Sequence, residues 1–200
     1  LNPSGECAKN LDQLDLGGCK VAALVLPVRF VDAAEAVLSY VADHDVVDVV
    51  CLGVDSRRTA RGLALESYAH NEWSDGSAGG AIVPARKEGW SVPQDLHLFA
   101  RALDKQKVPA WVSQDAGTYV CNDTLARLLF AHERGVFDPI PHFVHISRVR
   151  EMQGPNDRTA PLLSEIILDV RALVEVMWST ARSTIYVERL AVARFSQRRS

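Results

Sequence analysis

The sequence has little of what marks specialised protein classes. Only four of its 200 residues are cysteine, and no two of them form a C-x-x-C pair, which argues against a zinc ribbon, a thioredoxin-type redox pair and a secreted disulfide scaffold. No apolar run approaches the roughly 18 residues of a membrane-spanning helix. A formal net charge of −3 is too weak to indicate nucleic acid or an anionic membrane as a partner. We therefore expect a reducing, cytoplasmic compartment and a small-molecule or peptide partner.

Signals for targeting and for internal repeats are also missing. The chain opens on Leu1, without an initiator Met and without the basic and apolar regions of a signal peptide. An apolar fraction of 48% and a charged fraction of 24% are typical of globular proteins, and 200 residues fit one domain. The last 19 residues hold five arginines against one glutamate. We predict a domain over residues 1–178 and a basic C-terminal extension over 179–200.

Hydrophobic periodicity predicts alternating strands and helices. Residues 20–27 and 46–54 are short apolar runs typical of buried strands, and residues 31–41 carry apolar side chains at helical spacing. Helices are also predicted over 95–107, from 122 onward and over 162–177, with strands over 110–113 and 143–146. Four glycines mark a loop over 71–89. Strand-helix-strand units predict an α/β fold with a parallel sheet and helices on its faces.

One cysteine occupies a position that favours a reactive thiol. Cys121 follows a glycine-containing turn after the strand predicted over 110–113, and it directly precedes a predicted helix. The unpaired N–H groups and the positive dipole end of a helix stabilise a thiolate, and the same N–H groups can hold an oxyanion. The alternative is that Cys121 is a small buried apolar residue, as most free cysteines are.

A histidine and a glutamate are candidates to act with this cysteine, since a thiolate nucleophile needs a base and a group that orients the base. His145 ends the strand predicted over 143–146, and the carboxyl edge of a parallel sheet would also hold the turn before Cys121. His142 is expected on the opposite face of that strand. Glu66 ends an apolar stretch, where burial would demand a partner. A core histidine and a surface glutamate remain the alternatives.

Three segments share their order and spacing with one known family. Residues 112–122 read VSQDAGTYVCN, residues 143–146 read FVHI with His145 24 residues after Cys121, and residues 63–66 read LALE. They resemble the nucleophile, histidine and glutamate segments of the type I pyroglutamyl peptidases, cysteine peptidases that remove an N-terminal pyroglutamate. The S-Q-D-A-G form of residues 113–117 is most similar to the eukaryotic branch. Shorter similarities at 2–4, 26–28 and 52–54 extend the resemblance over nearly the whole chain.

The resemblance implies a fold, an activity and three roles. The fold would be an α/β/α sandwich with a mostly parallel mixed sheet. Cys121 would be the nucleophile, His145 the general base and then acid, and Glu66 the group that orients His145. The substrate would be a peptide with an N-terminal pyroglutamate, hydrolysed through an acyl-enzyme with no metal or organic cofactor. A homo-oligomer is also implied.

Pyroglutamate is neutral and compact, so its pocket should be mainly apolar. Four residues are candidates to line it: Phe30, Val54, Tyr119 and Val120.

The chain also departs from the family pattern. The family's opening strand ends in a Gly-Phe segment whose aromatic residues contact the pyrrolidone ring, and this sequence begins after that point, so we expect a sheet that lacks the first strand. No arginine matches the one that follows the family's glutamate segment, and Ser147 stands where proline is usual. One alternative is therefore a catalytically impaired homologue that acts as a binding or interaction protein. Another is a nucleoside phosphorylase-like enzyme, for which the sequence offers no convincing phosphate site.

Overall fold

The computed structural model describes residues 2–152 and 159–196, with side chains described as far as Thr180. Within these residues the helices are α1 (Pro3–Leu11), α2 (Asp32–Asp43), α3 (Leu96–Lys105), α4 (Val120–Glu133) and α5 (Leu163–Ser196), with a short 3₁₀-helix at Arg150–Met152. The strands are β1 (Val49–Asp55), β2 (Leu63–Glu66), β3 (Tyr68–Ala69), β4 (Trp73–Ser74), β5 (Gly79–Gly80), β6 (Trp90–Ser91), β7 (Ala110–Ser113) and β8 (Pro141–Ser147).

Four strands form the central sheet, in the order β1-β8-β2-β7. β1 runs parallel to β8 and β2 runs parallel to β7, whereas β2 and β8 are antiparallel. The sheet is therefore mixed and mostly parallel, which confirms the predicted fold class. Its register places His145 of β8 between Gly53 of β1 and Ala64 of β2.

Helices flank the sheet, and strand side chains alternate between its two faces. α4 packs against β8 and against α2, while α3 packs against β7 and α5. Phe143 and His145 lie on the face that meets the start of α4, with their ring centroids 5.1 Å apart. His142 lies on the other face, where its ring meets Phe99 of α3 at 5.8 Å. The prediction that His142 and His145 point to opposite faces is confirmed.

The core joins the sheet to α4 and α5 through apolar side chains. Leu63 of β2 and Ile146 of β8 are fully buried, and so is Leu125 of α4. α5 is amphipathic because its buried residues recur at helical spacing along one face: Ile166, Val170, Leu173 and Met177. Burying one such side chain stabilises the fold by about 1.5–3 kcal/mol.

The strand predicted over residues 20–27 is wrong. Apart from the bridge between Asp15 and Lys20, this segment forms no strand pairing, and Leu24 and Val25 are 42% and 51% exposed. Its backbone bonds to the turn after α1 instead, where Gln13 N donates to Val21 O and Val21 N donates to Leu14 O. An apolar run becomes a strand only where a neighbouring strand accepts its backbone hydrogen bonds, and in the described sheet β1 pairs only with β8.

Other predicted elements are present, with shifted boundaries. α4 begins at Val120, two residues before the predicted start, which places Cys121 inside its first turn. The loop predicted over 71–89 contains one short pairing, between β4 and β5. α5 continues to Ser196, through the predicted domain boundary at 178. That boundary and the separate basic extension stay predictions.

Candidate active site

Three elements bring a glutamate, a histidine and a cysteine together on one face of the sheet. Glu66 ends β2, His145 lies in β8, and Cys121 lies in the first turn of α4. His145 Nδ1 lies 2.8 Å from Glu66 Oε1, and both side chains are buried. Cys121 Sγ lies beside Gly53, the residue of β1 that is in register with His145. The three residues singled out from the sequence are thus neighbours in space.

The strand arrangement that brings these three side chains together differs from the predicted one. The sequence predicted a shared carboxyl edge of parallel strands, but β8 runs antiparallel to β2 and parallel only to β1. The carboxyl ends of β8 and β7 therefore lie at opposite edges of the sheet. Glu66 reaches His145 across the antiparallel pair, because Glu66 is opposite Phe143 and its side chain points to the same face as His145.

The surroundings of His145 favour its charged form. Burial works to lower the pKa of His145, but hydrogen bonding to Cys121 and to Glu66 outweighs burial and raises the pKa to about 9. The side chain of Glu66 has no solvent contact, and its Oε2 has no hydrogen-bond partner among the described residues. A buried carboxylate is costly unless an opposite charge compensates it. An imidazolium at His145 supplies that charge.

Cys121 is half-buried at the second residue of α4. The residue before the helix, Tyr119, makes no side-chain capping bond to it. The N–H groups in the first turn of a helix have no partner within the helix, so they are available to a bound oxyanion. This local geometry matches the environment that the sequence predicted for a reactive thiol.

The structure places the four predicted pocket residues in three kinds of position: two belong to a group of aromatic rings, one is buried, and one lies on the other face of the sheet. Phe30 lies between Trp73 and Tyr119, with ring centroids 5.2 Å from each. We call Phe30, Trp73 and Tyr119 the aromatic cluster; it adjoins Cys121 through Tyr119, which is half exposed. Val120 is 7% exposed and offers little surface to a ligand. Val54 follows Gly53 in β1, so the pleat turns its side chain to the face away from Cys121, and the prediction for Val54 is wrong.

His142 has a different environment. Burial lowers the pKa of His142 to about 4, and its Nε2 lies 3.5 Å from Asp48 Oδ1. Burial also raises the pKa of Asp48 to about 6. The ring of His142 is therefore neutral near pH 7 and remote from Cys121, since it occupies the opposite face of the sheet.

Comparison with known proteins places this geometry in a family. The family model described as pyroglutamyl peptidase matches residues 1–180. The chain belongs to the pyroglutamyl peptidase family. The pyrrolidone-carboxylate peptidase of Halalkalibacterium halodurans is 28% identical over 159 residues, which cover 76% of this chain and 79% of that protein. The pyrrolidone-carboxylate peptidase of Bacillus thuringiensis is 27% identical over 193 residues, with 88% of each chain covered.

Solved structures of the pyroglutamyl peptidase family share the fold. Pyroglutamyl peptidase I from Bacillus amyloliquefaciens superposes with a TM-score of 0.78 at 22% identity, over 88% of this chain and 87% of that one. Pyrrolidone carboxyl peptidase from Pyrococcus furiosus gives a TM-score of 0.78 at 22% identity, over 90% and 92% of the two chains. At these identities the likeness establishes the α/β architecture.

Sequence reasoning missed the residues that anchor the start of α4 in this family member. Asn122 is fully buried; its amide donates to His70 O and Glu72 O at 2.9 and 2.7 Å and accepts from His70 N at 2.8 Å. Asp123 is also fully buried, and it accepts from Val31 N at 2.8 Å. The only sign of this role in the sequence was that two polar residues, Asn122 and Asp123, directly follow the candidate nucleophile.

Trp73 was also missed. Its neighbours tie it to α4 and to the turn before α4: Glu72 O accepts from Asn122, and Ser74 N donates to Thr118 O at 2.7 Å. An aromatic residue in a glycine-rich loop was the only hint in the sequence, since loops often carry binding residues.

Across residues 2–152 and 159–196, no group of three or more His, Cys, Asp or Glu side chains is placed to hold a metal ion. In the same ranges, no helix combines the length and the apolar character required to cross a bilayer.

Proposed function

We propose that this chain hydrolyses the bond between an N-terminal pyroglutamyl residue and the rest of a peptide, with Cys121 as the nucleophile. The observation that carries the proposal is the 2.8 Å contact between His145 Nδ1 and the buried Glu66 Oε1, beside the Cys121 thiol. A cysteine, a histidine and an orienting carboxylate form the standard set for thiol-dependent acyl transfer. Membership of the pyroglutamyl peptidase family supports the choice of substrate.

Each of the three side chains has a distinct role in the proposed reaction. The thiol proton already resides on His145 before the substrate reacts, and the Cys121 thiolate attacks the pyroglutamyl carbonyl carbon. First-turn N–H groups of α4 stabilise the oxyanion. The C–N bond breaks as His145 returns the proton to the leaving amine, which leaves a thioester on Cys121. His145 then takes a proton from water, and the resulting hydroxide attacks the thioester carbon. The C–S bond breaks, pyroglutamic acid leaves, and the thiolate beside the protonated His145 is restored. Glu66 holds the imidazole and compensates its charge.

The aromatic cluster is the proposed contact surface for the pyroglutamyl ring. Tyr119 lies two residues before Cys121, Phe30 packs against Tyr119, and Trp73 extends the surface beyond Phe30. A neutral five-membered lactam fits an apolar surface that leaves backbone groups free to bind its N–H and carbonyl. Val120 stays a candidate through its backbone, next to Cys121. The proposed reaction uses no metal or organic cofactor.

A fluorogenic pyroglutamyl amide tests this proposal. We expect the wild-type chain to release the fluorophore, and Cys121→Ala to lower kcat/KM by about 10³-fold or more, because the covalent step disappears. Cys19→Ala is the matched control, since Cys19 is a half-buried free cysteine outside the site. The corresponding prolyl amide, which lacks the lactam carbonyl, should not be hydrolysed.

Two results would contradict the proposal. Hydrolysis that survives Cys121→Ala would remove Cys121 as the nucleophile. A folded wild-type chain that binds the amide without cleaving it would instead establish the catalytically impaired homologue.

We further propose a eukaryotic-type branch, a cytoplasmic location and a homo-oligomer. The S-Q-D-A-G segment supports the branch, and a phylogeny that includes eukaryotic members tests it. Four free cysteines support the reducing compartment, and microscopy of the tagged protein tests it. Light scattering coupled to gel filtration tests the oligomer.

A further inference from the structure

Gly53 occupies a position in β1 where a side chain would collide with the candidate nucleophile. A Cβ atom built on Gly53 would lie 2.9 Å from Cys121 Sγ and 2.9 Å from Phe143 Cε1. Non-bonded carbon contacts are optimal at about 3.5–4.0 Å. The Cys121 thiol therefore fills the space that a methyl group at position 53 would need.

The backbone of Gly53 gives no other reason for a glycine. Its φ lies outside the left-handed region, unlike that of Gly62 or Gly117, and it continues the strand pairing of β1 with β8. An L-residue could adopt this extended conformation without strain. The requirement for glycine comes from the space that the Cys121 thiol and the Phe143 ring occupy.

The same position lies next to the histidine. Gly53 is the register partner of His145, so the thiol that rests against Gly53 is held beside the imidazole. Phe143, the second residue that a Cβ at position 53 would meet, packs against the His145 ring with 5.1 Å between the ring centroids. Gly53 thus borders the thiol, the imidazole and the ring that supports the imidazole.

We propose that Gly53 is a positioning residue: its missing side chain leaves the space in which Cys121 Sγ rests against β1, in reach of His145. The proposal rests on the proposed function only in taking Cys121 as the nucleophile. A methyl group at position 53 displaces the thiol, and displacements of about 1 Å in a reacting group cost about 10²-fold in rate. Cys121 alkylation by iodoacetamide should also slow and lose the pH dependence that His145 confers.

A stability cycle tests the steric contact without using activity. Gly53→Ala should lower the melting temperature, and Cys121→Ala should recover part of that loss because the colliding sulfur is gone. The cycle is repeated in the Phe143→Leu background, which removes the ring atoms from the conflict. The proposal would be overturned if Gly53→Ala lowered the melting temperature equally with and without the Cys121 sulfur, both in the wild type and in Phe143→Leu. It would also be overturned if Gly53→Ala failed to fold in every one of these proteins.

Activity and alkylation test the functional consequence. We expect Gly53→Ala to lower kcat/KM for the pyroglutamyl amide by about 10²-fold or more. Gly53→Ala combined with Phe143→Leu should stay equally impaired; recovery to the level of Phe143→Leu alone would assign the conflict to Phe143 and overturn the proposal. Ala42→Ser is the control, because it also adds one side-chain atom but at an exposed position near the end of α2.

The two failures are distinguishable. A wild-type chain without hydrolytic activity would contradict the proposed function, while coupling between positions 53 and 121 in stability and alkylation would still support the role of Gly53. Hydrolysis and alkylation that are unchanged in Gly53→Ala would contradict the role of Gly53 alone.

Discussion

At the residue scale, the charged form of His145 depends on its contact with Glu66. Both side chains are buried. The 2.8 Å contact of His145 Nδ1 with Glu66 Oε1 compensates the buried carboxylate, whose Oε2 has no hydrogen-bond partner among the described residues. Hydrogen bonds to Cys121 and Glu66 overcome burial and raise the pKa of His145 to about 9. The imidazolium that donates to a leaving amine is therefore the dominant form near neutral pH.

Removing the charge of Glu66 should shift the pH dependence of catalysis. Glu66→Gln keeps the side-chain size but loses the negative charge, so the pKa of His145 should fall. The alkaline limb of kcat/KM, near pH 9 in the wild type, should move to lower pH, and kcat/KM at pH 7 should fall by about 10²–10⁴-fold. Measurements of kcat/KM from pH 5 to 10 give both the position of the alkaline limb and the value at pH 7. Glu88→Gln is the control, because Glu88 is exposed. An unmoved alkaline limb would exclude Glu66 as the orienting group.

The same pair predicts how stability depends on pH. The folded-state pKa of His145 lies above its ordinary value of 6.5, so the contribution of the imidazolium to stability is complete below about pH 6.5 and is lost as pH rises to about 9. Urea unfolding at pH 6 and pH 9 should show this loss in the wild type and a smaller loss in Glu66→Gln. Identical pH slopes in the two proteins would contradict the raised pKa of His145.

At the element scale, the start of α4 connects three separate segments. Asn122 holds the loop at His70 and Glu72, and Asp123 holds the turn at Val31, where φ is 69°. The two loops carry Trp73 and Phe30, and the Phe30 ring packs against Trp73 and against Tyr119, the residue just before α4. The aromatic cluster therefore depends on polar side chains inside the first turn of one helix.

Asn122→Asp should loosen this arrangement. The amide donates to two backbone carbonyls, whereas a carboxylate would face both oxygens without a donor. We expect a loss of about 1–3 kcal/mol in the free energy of unfolding, together with a higher KM for the pyroglutamyl amide. Asn10→Asp is the matched control, because its amide also donates to a backbone carbonyl but at an exposed position. Equal effects of the two substitutions would show that burial at Asn122 is unimportant.

At the scale of the whole molecule, an ion pair between the part-exposed Arg61 and the buried Asp169 ties α5 to the entrance of β2. Arg61 donates from Nε to Asp169 Oδ2 at 2.8 Å and from a terminal nitrogen to Oδ1 at 2.7 Å. Asp169 is 1% exposed, while the Arg61 side chain is 38% exposed. The contact spans 108 residues of sequence and fixes the long helix against the sheet.

Arg61→Met should destabilise the fold because it leaves the Asp169 carboxylate buried without its partner. We expect a loss of about 3 kcal/mol in the free energy of unfolding. This loss is at the low end of those found when a buried pair is broken, because water reaches the part-exposed Arg61 side chain. Adding Asp169→Leu should recover most of it. Arg171→Met, which breaks an exposed pair with Glu175, should cost under about 1 kcal/mol. Urea denaturation measures all three, and a loss that Asp169→Leu fails to recover would point to another role for Arg61.

The sequence by itself determined the local elements and the identities of the candidate catalytic residues. α2, α3 and the core of α5 follow from apolar spacing, which is a property of neighbouring residues. Cys121, His145 and Glu66 were found through motif spacing along the chain. These features need no knowledge of distant contacts.

The tertiary structure alone decided how those elements meet. The antiparallel pairing of β8 with β2 sets the Glu66–His145 contact, the pleat removes Val54 from the site, and the apolar run at 20–27 remains outside the described sheet. Gly53 against Cys121 and Trp73 against Phe30 join segments more than 40 residues apart. Strand direction and side-chain space depend on such long-range contacts, and a pattern of neighbouring residues contains no record of them.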